Sequence, residues 1–194
     1  MFKHQIFIIF MFALIFLQGC TSARVGTGVA TTTMVVAEGE RSIGTVVDDA
    51  TIKLNLSANF LKSNKHIFLN INSNVINGRV LLTGIVDDQE TRIEAIKKTW
   101  EVEGVNEVVN EIDIGKKTTI KEYASDLWIN TQVKSLAAKT LGLRFLGYNF
   151  ETIRGKVYIA GITSRPEQLE NTIFEIKNIK GVKEIVNYVV LVQD

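Results

Sequence analysis

The sequence carries one pattern twice, with the second copy 77 residues after the first. From Asp49 to Ile112 the first copy aligns with the second without a gap, and 18 of the 64 aligned positions are identical. A pattern that recurs at a fixed interval indicates tandem copies of one structural unit. The chain of 194 residues is therefore expected to form two small domains of the same fold. The identities concentrate at apolar residues and at glycines, among them the pairs Gly78/Gly155, Gly84/Gly161 and Gly104/Gly181.

The first element of each unit is predicted to be a helix, over residues 49–62 and 126–141. In the second copy, residues recur at steps of three and four, which is the spacing of one helical face. These residues are Ile129, Val133, Leu136 and Thr140. This face is expected to pack on the rest of the domain, so the opposite face of the helix points outward.

Two short strands joined by a tight turn are predicted to follow each first helix. The turns fall at Asn77-Gly78 and Arg154-Gly155. Asn-Gly in particular favours the positive φ angles of a β-hairpin.

The second helix of each unit is predicted to begin at a capping box and to end at a glycine. Asp87 and Ser164 are the expected N-cap residues, because a glutamate follows each of them three positions later. Gly104 and Gly181 are the expected ends, since glycine is common just past the end of a helix.

A last strand completes each unit, over residues 107–112 and 184–192. The predicted order of elements is α-β-β-α-β. The fold class is therefore α+β, with two tandem domains that each pack a three-stranded sheet on two helices. The predicted domain limits are residues 45–114 and 115–194.

Residues 1–19 have the composition of a secretory signal peptide, with Lys3 ahead of an apolar run. The apolar run from residue 6 to residue 17 would rise about 18 Å as a helix, too short for a hydrocarbon core of about 30 Å. The sequence Leu17-Gln18-Gly19-Cys20 resembles the lipobox of bacterial lipoproteins. That resemblance implies that Cys20 is acylated and becomes the mature N-terminus, whereas the alternative is an ordinary cysteine near an unrelated cleavage site.

Residue 21 is threonine, and aspartate at this place would imply retention in the inner membrane. The lipobox resemblance thus implies an outer-membrane protein that faces the periplasm. Residues 20–44 are predicted to be a lipidated N-terminus followed by a tether, because they are rich in small and polar residues without a clear period.

Composition excludes several kinds of site. With one cysteine and two histidines, the chain lacks the residues for a disulfide framework or a cysteine-rich metal site. The net charge of +1 argues against a dedicated nucleic-acid binder. The carboxylate pair Asp87-Asp88 fits a helix cap better than acid–base catalysis, and His66 fits a surface position. We therefore expect no enzyme, no metal, no cofactor and no small-molecule substrate.

The near-zero net charge conceals a difference between the two copies. Residues 45–114 hold seven basic and eleven acidic residues, a net −4, and residues 115–194 hold twelve and eight, a net +4. The basic copy also has a candidate binding surface, with apolar and basic side chains, on the outward face of its first helix. This surface is formed by Leu127, Trp128, Thr131, Lys134 and Lys139.

Trp128 aligns with Thr51, so the fold does not demand a bulky apolar side chain there. Tryptophan favours the membrane interface, and each basic residue near anionic lipid contributes about 1 kcal/mol. This face is therefore a predicted phospholipid-binding site. The alternative is that Trp128 packs between the two domains or against a partner. Trp100, the other tryptophan, is expected in the core of the first domain.

The repeated glycines, with Gly-Val…Val-Asn at 104–110 and 181–187, resemble the BON domain. Two BON domains behind a lipobox resemble the dual-BON outer-membrane lipoproteins, and residues 41–49 share that similarity. The resemblance implies a non-enzymatic protein that binds anionic phospholipid through the first helix of its second domain and supports envelope integrity.

Two other functions stay open at the level of sequence. The same exposed face could dock an outer-membrane assembly or another envelope protein, in which case lipid is incidental. A soluble periplasmic stress protein is the third reading, and it requires that Cys20 is not acylated.

Overall fold

A computed structural model describes residues 43–116 and 118–192. The signal peptide, Cys20 and the tether up to residue 42 lie outside the described residues. The first domain contains six elements, which are α1 (Ile43–Ser63), α2 (Lys65–Asn70), β1 (Ile71–Ile76), β2 (Arg79–Val86), α3 (Gln89–Trp100) and β3 (Glu107–Ile114).

The second domain repeats this order, with a 3₁₀ helix in place of the short α2. Its elements are α4 (Ile120–Leu141), the 3₁₀ helix (Gly142–Gly147), β4 (Tyr148–Ile153), β5 (Lys156–Thr163), α5 (Pro166–Lys177) and β6 (Glu184–Leu191). The predicted α+β fold of two tandem domains is confirmed.

Each domain has a three-stranded sheet in which the second strand of the domain lies between the other two. β2 pairs antiparallel with β1 and parallel with β3, and β5 does the same with β4 and β6. The register repeats without a slip, since Ile71 lies opposite Gly84 and Tyr148 lies opposite Gly161. The sequence repeat of 77 residues is thus also a repeat of strand pairing and register.

Both first helices begin six residues earlier than the periodic pattern predicted. For α4 the cause is a capping box, in which Thr119 Oγ1 accepts the Glu122 N–H at 3.2 Å and Glu122 Oε2 accepts the Thr119 N–H at 2.8 Å. In the first domain α1 starts at Ile43, so the helix begins inside the segment predicted as tether.

The starts of the second helices also differ from the prediction. Asp88, and not Asp87, caps α3, because its Oδ1 accepts the Thr91 N–H at 2.7 Å. Hydrogen bonds from the Thr91 N–H and the Thr91 hydroxyl hold the pKa of Asp88 below its usual value. In α5 the N-cap position belongs to Arg165, without a side-chain cap bond, and Pro166 opens the helix.

The two glycines predicted to end the second helices lie four residues beyond them, since α3 ends at Trp100 and α5 at Lys177. Gly104 has φ +90°, and a Cβ added there would lie 3.0 Å from Ile52 Cδ1. The glycine thus lets the loop pass close to the first helix rather than ending the second one.

Each domain packs its helices on one face of its own sheet. The first core includes Leu56, Ile67, Val80, Leu82 and Ala95, and the second includes Ile129, Val133, Ala137, Val157 and Ile159. The placement of Trp100 in the core is wrong: 52% of its surface is exposed, because Ala95 and Thr99 are the residues of α3 that face inward.

A third apolar cluster joins the two sheets, and the sequence did not predict it. It is formed by Ile76, Leu81, Tyr158, Ala160 and Ile162, which point away from the helices of their own domains. The central strands β2 and β5 are therefore buried on both faces. The two domains pack sheet against sheet, with their helices on the outer sides.

Candidate functional site

The predicted lipid-binding residues lie on the surface of α4. Leu127, Thr131, Lys134 and Lys139 are exposed, and 49% of the surface of Trp128 is accessible. Trp128 does not belong to the apolar cluster between the sheets. Thr131 uses its hydroxyl within the helix, where it donates to the Leu127 carbonyl at 2.8 Å. This face is thus open to a membrane or to another partner.

The exposed apolar face extends further towards the start of α4 than the sequence predicted. Ile120, Tyr123 and Leu127 recur at steps of three and four, and 89% of the surface of Ile120 is accessible. We call Ile120, Tyr123, Leu127 and Trp128 the α4 apolar face. Ile120 and Tyr123 were missed because the helix was predicted to begin at residue 126. The capping-box spacing of Thr119 and Glu122 was the available signal.

A hollow of about 530 Å³ lies beside the α4 apolar face. Its walls include Ile120, Tyr123 and Leu127 from the second domain and Leu69 from α2 of the first domain. Asn130 and Thr152 also line this hollow, and their buried Oδ1 and Oγ1 atoms have no hydrogen-bond partner among the residues that the structure describes.

Basic residues flank the α4 apolar face on both sides. Lys116 and Lys121 lie near the start of the helix, and Lys134 and Lys139 lie further along it, all exposed. Apolar side chains with amines beside them suit the boundary between acyl chains and anionic head groups.

A buried aspartate fixes the first helix of each domain to the hairpin turn. Asp126 accepts the N–H groups of Arg154 at 2.7 Å and of Gly155 at 2.8 Å. Asp49 accepts those of Asn77 and Gly78 in the same way. Arg154 and Asn77 have positive φ angles, which turn these N–H groups towards the helix. The carboxylates hold backbone in place, and this bonding positions α4 on its sheet.

At the polar border of the interface between the domains, equivalent positions of the two domains contact each other. Lys156 Nζ lies 3.2 Å from Glu111 Oε2, and the Tyr188 hydroxyl donates to the same carboxylate. The equivalent of Lys156 in the first domain is Arg79, whose guanidinium lies 5.9 Å from the centre of the Tyr188 ring. Since Glu111 and Tyr188 are themselves equivalent positions, the two domains meet about a pseudo-two-fold axis.

The interface shifts the ionisation of these groups. Burial acts to raise the pKa of Glu111, but hydrogen bonds from Tyr188 and Lys156 outweigh it and lower that pKa. Burial, with the bond to Glu111, raises the pKa of Tyr188 to about 12. On the other side, Glu151 of the second domain accepts hydrogen bonds from Thr83 and Asn72 of the first.

The residues weighed for catalysis do not form a site. Asp87 is exposed, Asp88 caps α3, and His66 is an exposed residue of the short helix α2, in agreement with its predicted surface position. Over 43–116 and 118–192, no three His, Cys, Asp or Glu residues are grouped so that they could hold a metal ion. Within the same ranges no helix is long and apolar enough to cross a membrane.

Known proteins match both halves of the chain. The family model of the BON domain matches residues 48–116 and again residues 125–193. The outer-membrane lipoprotein DolP of Haemophilus influenzae is 32% identical over 177 residues, which cover 90% of this chain and 89% of that protein.

Two further relatives extend the comparison. A protein of Anaplasma centrale, described as an uncharacterized protein in the gshII 5' region, is 37% identical over 74% of this chain and 94% of its own length. The 21 kDa hemolysin of Actinobacillus pleuropneumoniae is 29% identical over 79% of each chain.

Proposed function

Because the chain belongs to the BON-domain family, as a tandem pair of such domains, we propose that it is a non-enzymatic lipoprotein that binds anionic phospholipid and supports envelope integrity. Cys20 is the proposed acylation site, and the outer membrane, with the domains in the periplasm, is the proposed location. The similarity to an outer-membrane lipoprotein over most of both chains supports this location.

The α4 apolar face is the observation that carries the proposal. Four large side chains, Ile120, Tyr123, Leu127 and Trp128, stand exposed on one helix of the more basic domain. The free energy of burial favours their transfer from water into the acyl region. Lys134 and Lys139 would then lie at the level of the phosphates, where the surface potential of anionic lipid attracts them.

The test is vesicle binding by the two-domain part of the chain, from residue 43 on. The second domain alone is a poor choice, because removing the first would expose Tyr158 and Ile162. We expect binding to vesicles that contain phosphatidylglycerol, weaker binding to phosphatidylcholine alone, and loss of binding in Trp128→Ala with Lys134→Glu.

Trp100→Ala is the matched control, because Trp100 is as exposed as Trp128 but lies in the acidic domain. This variant should bind vesicles like the unsubstituted protein. If Trp128→Ala with Lys134→Glu binds as strongly as this control, the α4 apolar face is not the lipid site.

A protein partner is the second candidate function, and the hollow beside the α4 apolar face favours it. The hollow is lined by amide side chains as well as apolar ones, among them Asn70, Asn72 and Asn130, which suit a ligand with hydrogen-bonding groups that an acyl chain lacks. Binding of envelope proteins that is unaffected by lipid charge would support this function.

A further inference from the structure

The outward side of α1 carries an apolar stripe that neither the core nor the proposed lipid site uses. Its five members alternate at steps of four and three, the spacing of a coiled-coil seam. All are exposed, and 72% of the surface of Leu54 is accessible. We call these residues the α1 stripe: Val47, Thr51, Leu54, Ala58 and Leu61.

The second domain shows that the fold does not need this stripe. The equivalent residues of α4 are Ala124, Trp128, Thr131, Ser135 and Ala138. Only Trp128 among them is large and apolar, and it belongs to the α4 apolar face. The apolar character of the α1 stripe is therefore particular to the first domain.

Charges at the two ends of the α1 stripe favour another copy of the same helix. Asp48 and Lys62 are exposed, flank the stripe on one side and lie 14 residues apart. When two copies of α1 run antiparallel, Asp48 of each faces Lys62 of the other at both ends. An anionic membrane is a poorer match, because the first domain carries a net −4 and the stripe contains no aromatic residue.

We propose that two copies of this chain associate through an antiparallel pairing of their α1 helices. In the register that joins the charges, Leu54 packs against Ala58 of the second copy, and Leu61 packs against Thr51. Leu54 and Leu61 thus each meet a smaller side chain, which lets the helices approach closely. The contact is isologous, so each side-chain layer occurs twice.

The expected dimer is weak. A single helix pair buries less than the area of about 1,200–2,000 Å² that is typical of stable interfaces. The association should therefore depend on protein concentration over the micromolar range and should be favoured wherever copies are crowded together. It is independent of lipid binding, since the two surfaces lie on different domains.

Sedimentation velocity of the full chain in detergent, over a concentration series, tests the apolar part of the contact. We expect a monomer–dimer equilibrium that Leu54→Glu shifts at least about tenfold towards monomer. Ser135→Glu, at the exposed position of α4 that is equivalent to Ala58, is the control and should leave the equilibrium unchanged. A chain that stays monomeric throughout, or a Leu54→Glu variant that dimerises normally, would overturn the proposal.

A charge exchange tests the antiparallel register. Asp48→Lys and Lys62→Asp should each weaken the dimer about tenfold, since each places like charges together at both ends. The double variant restores opposite charges and should dimerise within about twofold of the unsubstituted chain. A double variant as weak as the single ones would contradict the register.

Circular dichroism of every variant verifies that the helices are intact. Vesicle binding separates this contact from a membrane contact of α1. If Leu54→Glu lowers vesicle binding and leaves the monomer–dimer equilibrium as it was, the stripe faces lipid and the proposed dimer is wrong.

Discussion

Single residues show how the fold uses charge inside each domain. Asp49 and Asp126 are buried carboxylates, a kind of residue that often indicates catalysis. Here each one accepts two backbone N–H groups from the hairpin turn that it faces. Their conservation between the two copies was visible in the sequence, but their role was not, because the turn lies 28 residues further along the chain.

Replacing Asp126 with alanine should lower the free energy of unfolding by about 3 kcal/mol, because two buried N–H groups lose a charged acceptor. Asp49→Ala should cost a similar amount. Urea titration followed by circular dichroism measures both losses.

Asp87→Ala is the control for both substitutions, since Asp87 is exposed and is not the cap of α3. It should change the free energy of unfolding by less than about 0.5 kcal/mol. An Asp126→Ala protein as stable as this control would show that the turn holds without the carboxylate.

At the level of elements, the first turn of α4 decides how much apolar surface the second domain exposes. The periodic pattern placed the helix start at residue 126, because apolar periodicity reports only the residues that face the core. Ile120 and Tyr123 face solvent and therefore carry no such signal. Their place in the helix depends on the capping box at Thr119 and Glu122.

Ile120→Ala with Tyr123→Ala should weaken binding to phosphatidylglycerol vesicles at least about tenfold, because two side chains of the α4 apolar face are removed. The thermal midpoint should change little, since both side chains are exposed. Vesicle flotation and thermal unfolding are the measurements. Vesicle binding unchanged by this substitution would confine the lipid site to Leu127 and Trp128.

Thr119→Ala tests the capping box itself. We expect a loss of about 1 kcal/mol in the free energy of unfolding, the usual cost of removing an N-cap side chain. Amide hydrogen exchange should become faster in the first turn of α4, near Glu122, and stay slow at Val133. Uniform acceleration along the helix would contradict a local role for the cap.

At the scale of the whole molecule, the sequence predicted two domains but not their contact. Tyr158, Ala160 and Ile162 read as ordinary members of a buried strand. A central strand that is buried on both faces does not alternate between apolar and polar residues. Its sequence therefore does not show which side chains face the helices and which face the other sheet. The contact is a property of the tertiary structure, in which each sheet covers the outer face of the other.

The polar border of this contact should make stability depend on pH. The lowered pKa of Glu111 means that the folded chain binds this proton less readily than the unfolded chain does. The contribution of Glu111 to the free energy of unfolding is therefore complete above the ordinary pKa of 4.5, and it is lost as the pH falls through the lowered pKa.

Comparison of Glu111→Gln with the unsubstituted chain checks this sign. The difference in the free energy of unfolding should be largest at neutral pH and should shrink below a pH of about 4.5. Tyr188→Phe removes one donor to the carboxylate and should reduce the pH-dependent part of the difference. If the free energies of unfolding of Glu111→Gln and of the unsubstituted chain differ by the same amount down to acid pH, this carboxylate is not the titrating group.

The pseudo-two-fold contact makes the molecule equivalent to a homodimer whose subunits have been fused. A chain with one such unit would expose the outer face of its sheet and would need a second molecule to cover it. Because residues 115–119 join β3 to α4, the two units belong to one chain and cover each other without a second molecule. A connection within one chain makes the association of the two units intramolecular. Docking of the two units is therefore independent of protein concentration, whereas docking of two separate one-unit chains would be lost on dilution.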